Sequence, residues 1–399
     1  MSTRRRSFAF AALAYAFAAV MIGTTLPTPL YALYAEQMHF SVVTTTMIFA
    51  VYALGVLAAL LLFGRWSDAL GRRPVLLAGL GAAIASAMVF LIADSVALLL
   101  VGRLLSGLSA GLFTGTATAA VVEALPAAQR ERAAMVATIV NIGGLGIGPV
   151  LAGVLAQYAP HPLTLPFVVH IVLAAPAVVA VLIAPETSAR TGRIGLQRLA
   201  IPAEVRSVFI TAATAAFAGF AVTGLFAAIA PSFVADVVGI ANHAVAGAIA
   251  GSVFLASAVA QLAGRRILPA TAVAAGCVML VVGMAILAVA LTFSSLAGII
   301  VAAVVAGTGQ GISFSRGLAA VVEQVPAAQR GEISSTYFVV AYVAISVPVV
   351  GVGLAAQTWG LRTAGVSFAA AVAVLALGCL AAILIQSRRP ARLSGSTQV

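Results

Sequence analysis

The sequence predicts an all-α membrane protein, with twelve transmembrane helices arranged as two parallel six-helix repeats. Three observations predict it. Apolar residues make up 63% of the 399 positions and charged residues only 8%, too little polar surface to cover a soluble domain of this length. Apolar runs of about 20 residues, enough to cross a hydrocarbon layer about 30 Å thick, recur along the chain between short polar breaks. Finally, AAVVEALPAAQR at 119–130 returns as AAVVEQVPAAQR at 319–330, agreeing at ten of twelve positions. The shared Glu, Pro, Gln and Arg set this apart from chance repetition of alanine. Two copies on one side of a membrane need an even number of crossings between them, and six runs lie between. The runs are too long and too continuously apolar for barrel strands.

In order, the first half offers Phe8 to Tyr31, Val43 to Phe63, Val75 to Ala93, Val96 to Val122, Ala133 to Gln157 and Leu165 to Ala184. The first run carries GTTLPTPLY, in which Pro27 and Pro29 free backbone groups and bend a helix, with Thr24 and Thr25 as polar contacts or the kink serving packing alone. The fourth contains Arg103 about two turns inside the outer surface, a position that costs at least a few kcal/mol unless paired or hydrated. It either faces the interior or snorkels outward. In the fifth, Gly144 and Gly148 form a small-xxx-small face, and Pro149 and Gly153 follow. The sixth holds His170. The second half offers Val208 to Ala230, Ala244 to Ala263, Thr271 to Leu291, Leu296 to Val322, Ile333 to Gln357 and Thr363 to Gln386. Cys277 and Cys379 fall inside spans, as small apolar groups, and imply no disulfide framework. Fusion at Asp94-Ser95 and at Phe293-Ser294-Ser295 would reduce the count to ten. The expected division is a six-helix bundle over 1–184, a central loop over 185–206, a second bundle over 207–386 and a tail over 387–399.

The net charge is +11, and all 21 basic residues are arginine. Eighteen share one side under the twelve-span reading: Arg4, Arg5, Arg6, Arg65, Arg72, Arg73, Arg130, Arg132, the four between Arg190 and Arg206, Arg265, Arg266, Arg330, Arg388, Arg389 and Arg392. This positive-inside asymmetry places both termini in the cytoplasm and removes any need for a nucleic-acid partner. The opening STRRRSFAF also resembles a twin-arginine export signal, but its removal would delete the first span and break the six-plus-six symmetry.

Between the second and third runs stands GRWSDALGRRPVLLAG, 64–79. It resembles the signature loop of the major facilitator superfamily, with Gly64, Asp68, Gly71, Arg72 and Arg73 in matching positions and Ala69 and Leu70 where the family has a basic and then a larger residue. Six-helix halves related by an axis along the membrane normal describe that family. The resemblance implies that Asp68 docks on the cytoplasmic N-terminus of the eleventh helix near Glu332 to Ser335 while that side is shut. An acid there gains about 0.3–1 kcal/mol from the helix dipole, up to about 2 when partly buried. Gly64 and Gly71 suit a tight turn and close helix approach. Glu123 is placed to pair with Arg72, and its repeat partner Glu323 with Arg265 and Arg266, so that each half is latched internally.

Arg103, Gly107 and Gly111 in GRLLSGLSAG match a second family motif associated with proton-coupled members. Gly144, Gly148, Pro149 and Gly153 in GLGIGPVLAG resemble the antiporter motif of twelve-span drug exporters. The eleventh run, with Pro348 and Gly353, does not reproduce it, which favours export over uptake. The resemblance also implies a cavity lined by the first, fourth, seventh and tenth helices, with Thr24, Thr25, Pro27, Phe113, Phe217, Phe220, Thr223, Phe226, Thr308, Gln310 and Phe314 as candidates. Such a cavity suits an amphipathic or neutral organic molecule. Arg316 either contacts an anionic substrate or, more simply, snorkels.

No Asp or Glu falls inside a predicted span, so the proton carrier is expected by resemblance rather than located. Candidates for coupling are Arg103, the outer acids Glu36, Asp94 and Asp236, and His170, the one group inside a span that ordinarily titrates near 6.5; packing at an interface is the simpler role for His170. No nucleotide loop, metal-ligand spacing or nucleophile-base pair appears, so neither an enzyme, a metal site nor a cofactor is expected. The expectation is a monomeric drug/proton antiporter of a bacterial plasma membrane, working by alternating access; the rivals are an importer of a small solute and a non-transporting sensor.

Overall fold

A computed structural model describes residues 3–326 and 329–388. Arg389, Arg392 and nearly all of the expected tail lie outside the described residues, as do Ala327 and Ala328 in the second copy of the repeat. The described chain is helical, and twelve helices are long and apolar enough to cross a membrane. In the first half these are α1 (Thr3–Thr25), α2 (Val42–Phe63), α3 (Arg72–Leu91), α4 (Val96–Glu123), α5 (Arg130–Tyr158) and α6 (Leu165–Ile183). The second half has α7 (Arg206–Ala228), α8 (His243–Ala263), α9 (Pro269–Thr292), α10 (Leu296–Glu323), α11 (Arg330–Trp359) and α12 (Leu361–Arg388). The protein is therefore a multi-pass membrane protein. Both inter-helix breaks that raised a count of ten are real: Ser295 caps α10 by accepting from the Gly298 N–H at 3.2 Å.

Helix ends follow from local chemistry. Pro27 and Pro29 stop α1 at Thr25, and the chain makes a 3-10 turn over Thr28–Leu30 before resuming as a short helix, Tyr31–Met38. The first crossing thus continues a full two turns beyond the expected end at Tyr31. Asn242 caps α8 through its side-chain oxygen and the Val245 N–H, 3.0 Å apart. Residues 185–202 form no helix or strand.

The apolar cores divide unevenly between the two ends of the bundle. At the end away from the arginine-rich loops, one continuous core joins both halves, from Leu26, Leu30 and Tyr34 through Phe90 and Phe167 to Phe226, Ile229 and Phe233. At the arginine-rich end there are two separate cores, one around Phe17, Leu80, Phe113 and Val121 and the other around Phe209, Phe314, Val321 and Tyr337. Burial of apolar surface by both halves together closes one end, and separate burial by each half leaves the other open.

Candidate functional site: a closed seam, a central cavity and a charged loop

The closed end is built on small residues. A Cβ on Gly153 of α5 would lie 2.4 Å from the His243 carbonyl oxygen and 3.1 Å from the Gly247 Cα, both on α8. One on Gly247 would lie 2.2 Å from the Pro149 carbonyl oxygen. The same helix turns Gly144 and Gly148 toward α1, where added Cβ atoms would meet Met21 at 2.7 Å and the Ile22 carbonyl oxygen at 2.3 Å. Thus α5 is wedged between its own half and the other. Gln157 extends the seam, accepting the His243 N–H at 2.8 Å, which satisfies one of the free donors at the start of α8. A parallel seam joins α2 to α11, where Gly353 sits against Thr46.

Beneath the seam lies a central cavity of about 80 Å³. Phe220, Thr223, Gln310 and Phe314 line it, as the sequence suggests, together with Tyr52, Asn141, Phe254, Ser257, Gln261 and Tyr342. The latter group comes from α2, α5, α8 and α11, helices that the sequence reading had not placed at the cavity. Its polar floor is a linked set: Ser257 donates to the Gln310 side-chain oxygen at 2.6 Å, and the Gln261 amide donates to Ser257 at 3.2 Å. Lone amides in otherwise apolar spans, Asn141 and Gln261, were the available signal.

Other cavity candidates fall elsewhere. Phe113 is fully buried against Phe17, with ring centroids 6.2 Å apart, because the fourth helix turns this position into the core of its own half. Phe226 belongs to the core shared by both halves and Pro27 is buried at the helix break. Thr25 donates to the Leu145 carbonyl at 2.8 Å and Thr24 to Val20 at 3.0 Å, so both hydroxyls are committed to backbone. Thr308 likewise bonds within its helix, and neither it nor Phe217 lines the cavity.

From the arginine-rich end, a vestibule of about 530 Å³ opens between α2 and α4 on one wall and Gly331, Glu332, Ser334, Ser335 and Phe338 of α11 on the other. Asp68 and the start of α11 therefore face each other across open space, and the expected docking contact is not made in this state. Asp68 instead accepts from Arg72 Nη1 at 2.6 Å. Arg72 also reaches Glu123, with Nη2 2.9 Å and Nε 3.2 Å from the two carboxylate oxygens, and Ser67 at 2.8 Å. Thr187 completes the Glu123 carboxylate with a 2.7 Å bond. Residues 185–202 cross the vestibule mouth, bonding Gly192 N–H to the Asp68 carbonyl at 3.1 Å, Gln197 N–H to Leu61 at 2.8 Å and Ala200 N–H to the Thr336 hydroxyl at 3.1 Å.

The sequence reading missed Glu186. Its carboxylate accepts the backbone N–H groups of Arg72 at 2.8 Å, Arg73 at 3.1 Å, and Thr187 and Ser188 at 3.0 Å each, capping the N-terminus of α3. This explains Gly71: its φ is +109°, and a Cβ there would lie 2.5 Å from a Glu186 oxygen. Gly64, by contrast, has ordinary right-handed dihedrals, φ −54°, and it is close approach that requires glycine there, since a Cβ would lie 2.4 Å from the Leu60 carbonyl oxygen. Arg73 donates to the Ala184 carbonyl. Partial burial opposes ionisation of Glu186, but these backbone donors outweigh it and hold its carboxyl below the usual value of 4.5. A depressed folded pKa means the stabilisation is complete above pH 4.5 and is lost as pH falls through the folded value. Glu186→Gln should lower the melting temperature at pH 7 and flatten its decline in that acid range; equal acid limbs in the two proteins would exclude the assignment.

The expected ion pair of Glu323, the repeat counterpart of Glu123, with Arg265 and Arg266 does not form. Glu323 borders an apolar groove with Leu268, Pro269 and Val273, and Arg265 reaches across to Glu131 of the first half at 3.7 Å. The reason is the shorter turn: Gly264–Arg266 is a single 3-10 turn, and α9 begins at Pro269 with no intervening acidic loop. That exposed pair contributes little. Of the coupling candidates, Glu36, Asp94 and Asp236 are exposed. His170 is buried, its ring filling the space that a Cβ on Gly23 would need at 2.0 Å. Arg103 is buried inside the first half. Arg316 is partly buried toward the vestibule end of α10. Among the described residues no cluster of His, Cys, Asp or Glu has the makings of a metal site.

A sequence model of the Major Facilitator Superfamily matches residues 8–347. The tetracycline resistance protein, class D, of Salmonella ordonez is 36% identical over 129 residues, 32% of this chain and 31% of that protein. Multidrug resistance protein MdtL of Escherichia coli O45:K1 is 35% identical over 123 residues, 31% of this chain and 30% of that protein. The matched stretch therefore spans about a third of the length of these curated relatives. Among solved structures, a bacterial homolog of the human lysosomal transporter Spinster, inward-facing and unoccupied, superposes with a TM-score of 0.74 at 16% identity, covering 98% of this chain and 100% of that one. The human organic anion transporter MFSD10 gives 0.63 at 17% identity, covering 96% and 100%. The chain belongs to the Major Facilitator Superfamily.

Proposed function

We propose that this protein is a secondary exporter of small amphipathic organic molecules, residing in a bacterial plasma membrane with both termini cytoplasmic and driven by proton influx. The observation that carries the reading is the seating of the Gly144–Gly153 face of α5 between α1 and α8, the helix whose motif resembles that of drug exporters. Rocking of the halves about the central cavity would open this seam while closing the vestibule, bringing Asp68 to the start of α11 in the second state. The partial similarity to a tetracycline resistance protein and a multidrug resistance protein supports efflux of drug-like compounds. The mixed lining of the cavity, aromatic rings beside a small amide and hydroxyl set, suits a molecule with one apolar face and few charges.

The proton gradient is the only energy source this reading requires, and no resident cofactor enters it. An uptake carrier is the competing reading, favoured by the lack of an acid within any predicted apolar run. Everted vesicles separate the two. With an acidified lumen, export predicts that ethidium or tetracycline accumulates inside and is released by a protonophore. Accumulation only with the gradient reversed would establish uptake instead.

A further inference from the structure

Arg103 of α4 is 1% exposed, and among the described residues it forms no ion pair. Its Nη1 donates to the Thr24 carbonyl at 2.8 Å. Around the guanidinium stand three aromatic rings, Tyr31, Phe49 and Tyr52, with centroids 5.8, 5.6 and 4.7 Å from Cζ. Ring faces attract a cation but carry no net charge, so the positive charge stays uncompensated, in contrast to Arg72 with its two acids. Among the described residues, every ion pair lies at the arginine-rich end.

The polar groups around Arg103 set the sign of the charge that it can bind. Its Nε–H is buried without a partner, and so is the hydroxyl of Tyr31, whose ring is one of the three. Both unpartnered groups can donate a hydrogen bond, and Nε–H can only donate. A site with unused donors and an excess positive charge takes an acceptor with a negative charge.

We propose that Arg103 and Tyr31 form a binding site for a monoanionic group, either the carboxylate of an organic substrate or an inorganic halide. The site rests on the exporter reading for its place in a transport cycle, and it narrows the substrate class to molecules that can carry one negative charge if the carboxylate is the occupant. Access runs past Tyr52, whose ring both covers the guanidinium and lines the central cavity. Tyr52 meets Tyr342 of α11 edge-on, with centroids 6.5 Å apart, so separating α2 from α11 uncovers the arginine.

The test uses the purified full-length protein in HEPES buffer with sodium gluconate as the ionic-strength control. Sodium 1-naphthoate, neutral 1-naphthamide and sodium chloride are each titrated while melting temperature and heat of binding are followed. The proposal expects naphthoate to raise the melting temperature by several degrees, naphthamide to have no comparable effect, and Arg103→Gln to weaken naphthoate binding at least tenfold. Tyr31→Phe, which removes one oxygen and keeps the ring, should weaken binding severalfold, and it decides the matter if Arg103→Gln does not fold. Chloride that binds and competes identifies a resident inorganic anion, whereas inert chloride beside bound naphthoate identifies an organic carboxylate site. Failure of both anions to bind wild type, or equal binding by the wild type and the decisive variant, overturns the proposal. Because binding is read without transport, loss of export in the vesicle experiment leaves this result standing, and the converse holds too.

Discussion

Under the proposed exporter function, Gly153→Val should leave the protein in the membrane at near wild-type amounts and reduce export at least tenfold. The valine Cβ would stand 2.4 Å from the His243 carbonyl oxygen and 3.1 Å from the Gly247 Cα, and both obstacles are backbone, which cannot turn aside as a side chain can. The contact joins α5 of one half to α8 of the other. Each half can therefore fold around its own core, but the seam cannot close to the distance seen here. The variant is expected to rest with that seam apart. A cysteine replacing Thr46, which is buried where α2 meets Gly353 of α11, should then react with an impermeant maleimide much faster than in the wild type. Normal export by the valine variant, or unchanged labelling, would sink the argument.

Gly107→Val should fail differently, by lowering the folded yield. Here the added Cβ would stand 2.1 Å from the Tyr52 carbonyl oxygen and 3.0 Å from the Gly55 Cα, both on α2. This crossing lies within one half, so it is needed in every state of the protein. Overpacking of a buried contact costs about 1–3 kcal/mol and sometimes more, and two glycine backbones in mutual contact have no side chain that can yield. The displaced strut also carries Tyr52, which covers Arg103. A control sits two turns along the same helix: Gly115 has open space where a Cβ would go, and Gly115→Val should melt close to wild type. Similar melting temperatures for the two valine variants would refute the packing account.

Much of this molecule is legible along the chain. The twelve crossings fall within a few residues of the apolar runs, except the first, where Pro27 and Pro29 break the helix and the chain continues to Met38 instead of ending. The pairing of Arg72 with Glu123 follows from a repeat and a loop that both mark one membrane face. Other features resist such reading. Glu186 stands 114 positions from Arg72, and nothing local shows that its carboxylate caps α3. The Glu323 partnership suggested by the repeat fails because the loop opposite it is shorter, a matter of geometry that repeated letters do not encode. Phe113 and Phe226 are aromatic residues on helices expected to line the cavity, yet their rotation about the helix axis turns them into packing.

The sequence by itself determined the number of crossings, the duplication and the family, because transfer of apolar surface from water depends on local composition and a motif is a local string. Only the tertiary structure decided which end is shut, which glycines join the halves and which separate helices within one, and that Arg103 stands without a counter-charge. Those properties depend on distances of a few ångströms between helices far apart in the chain, where a single Cβ or an unpaired donor determines what can approach.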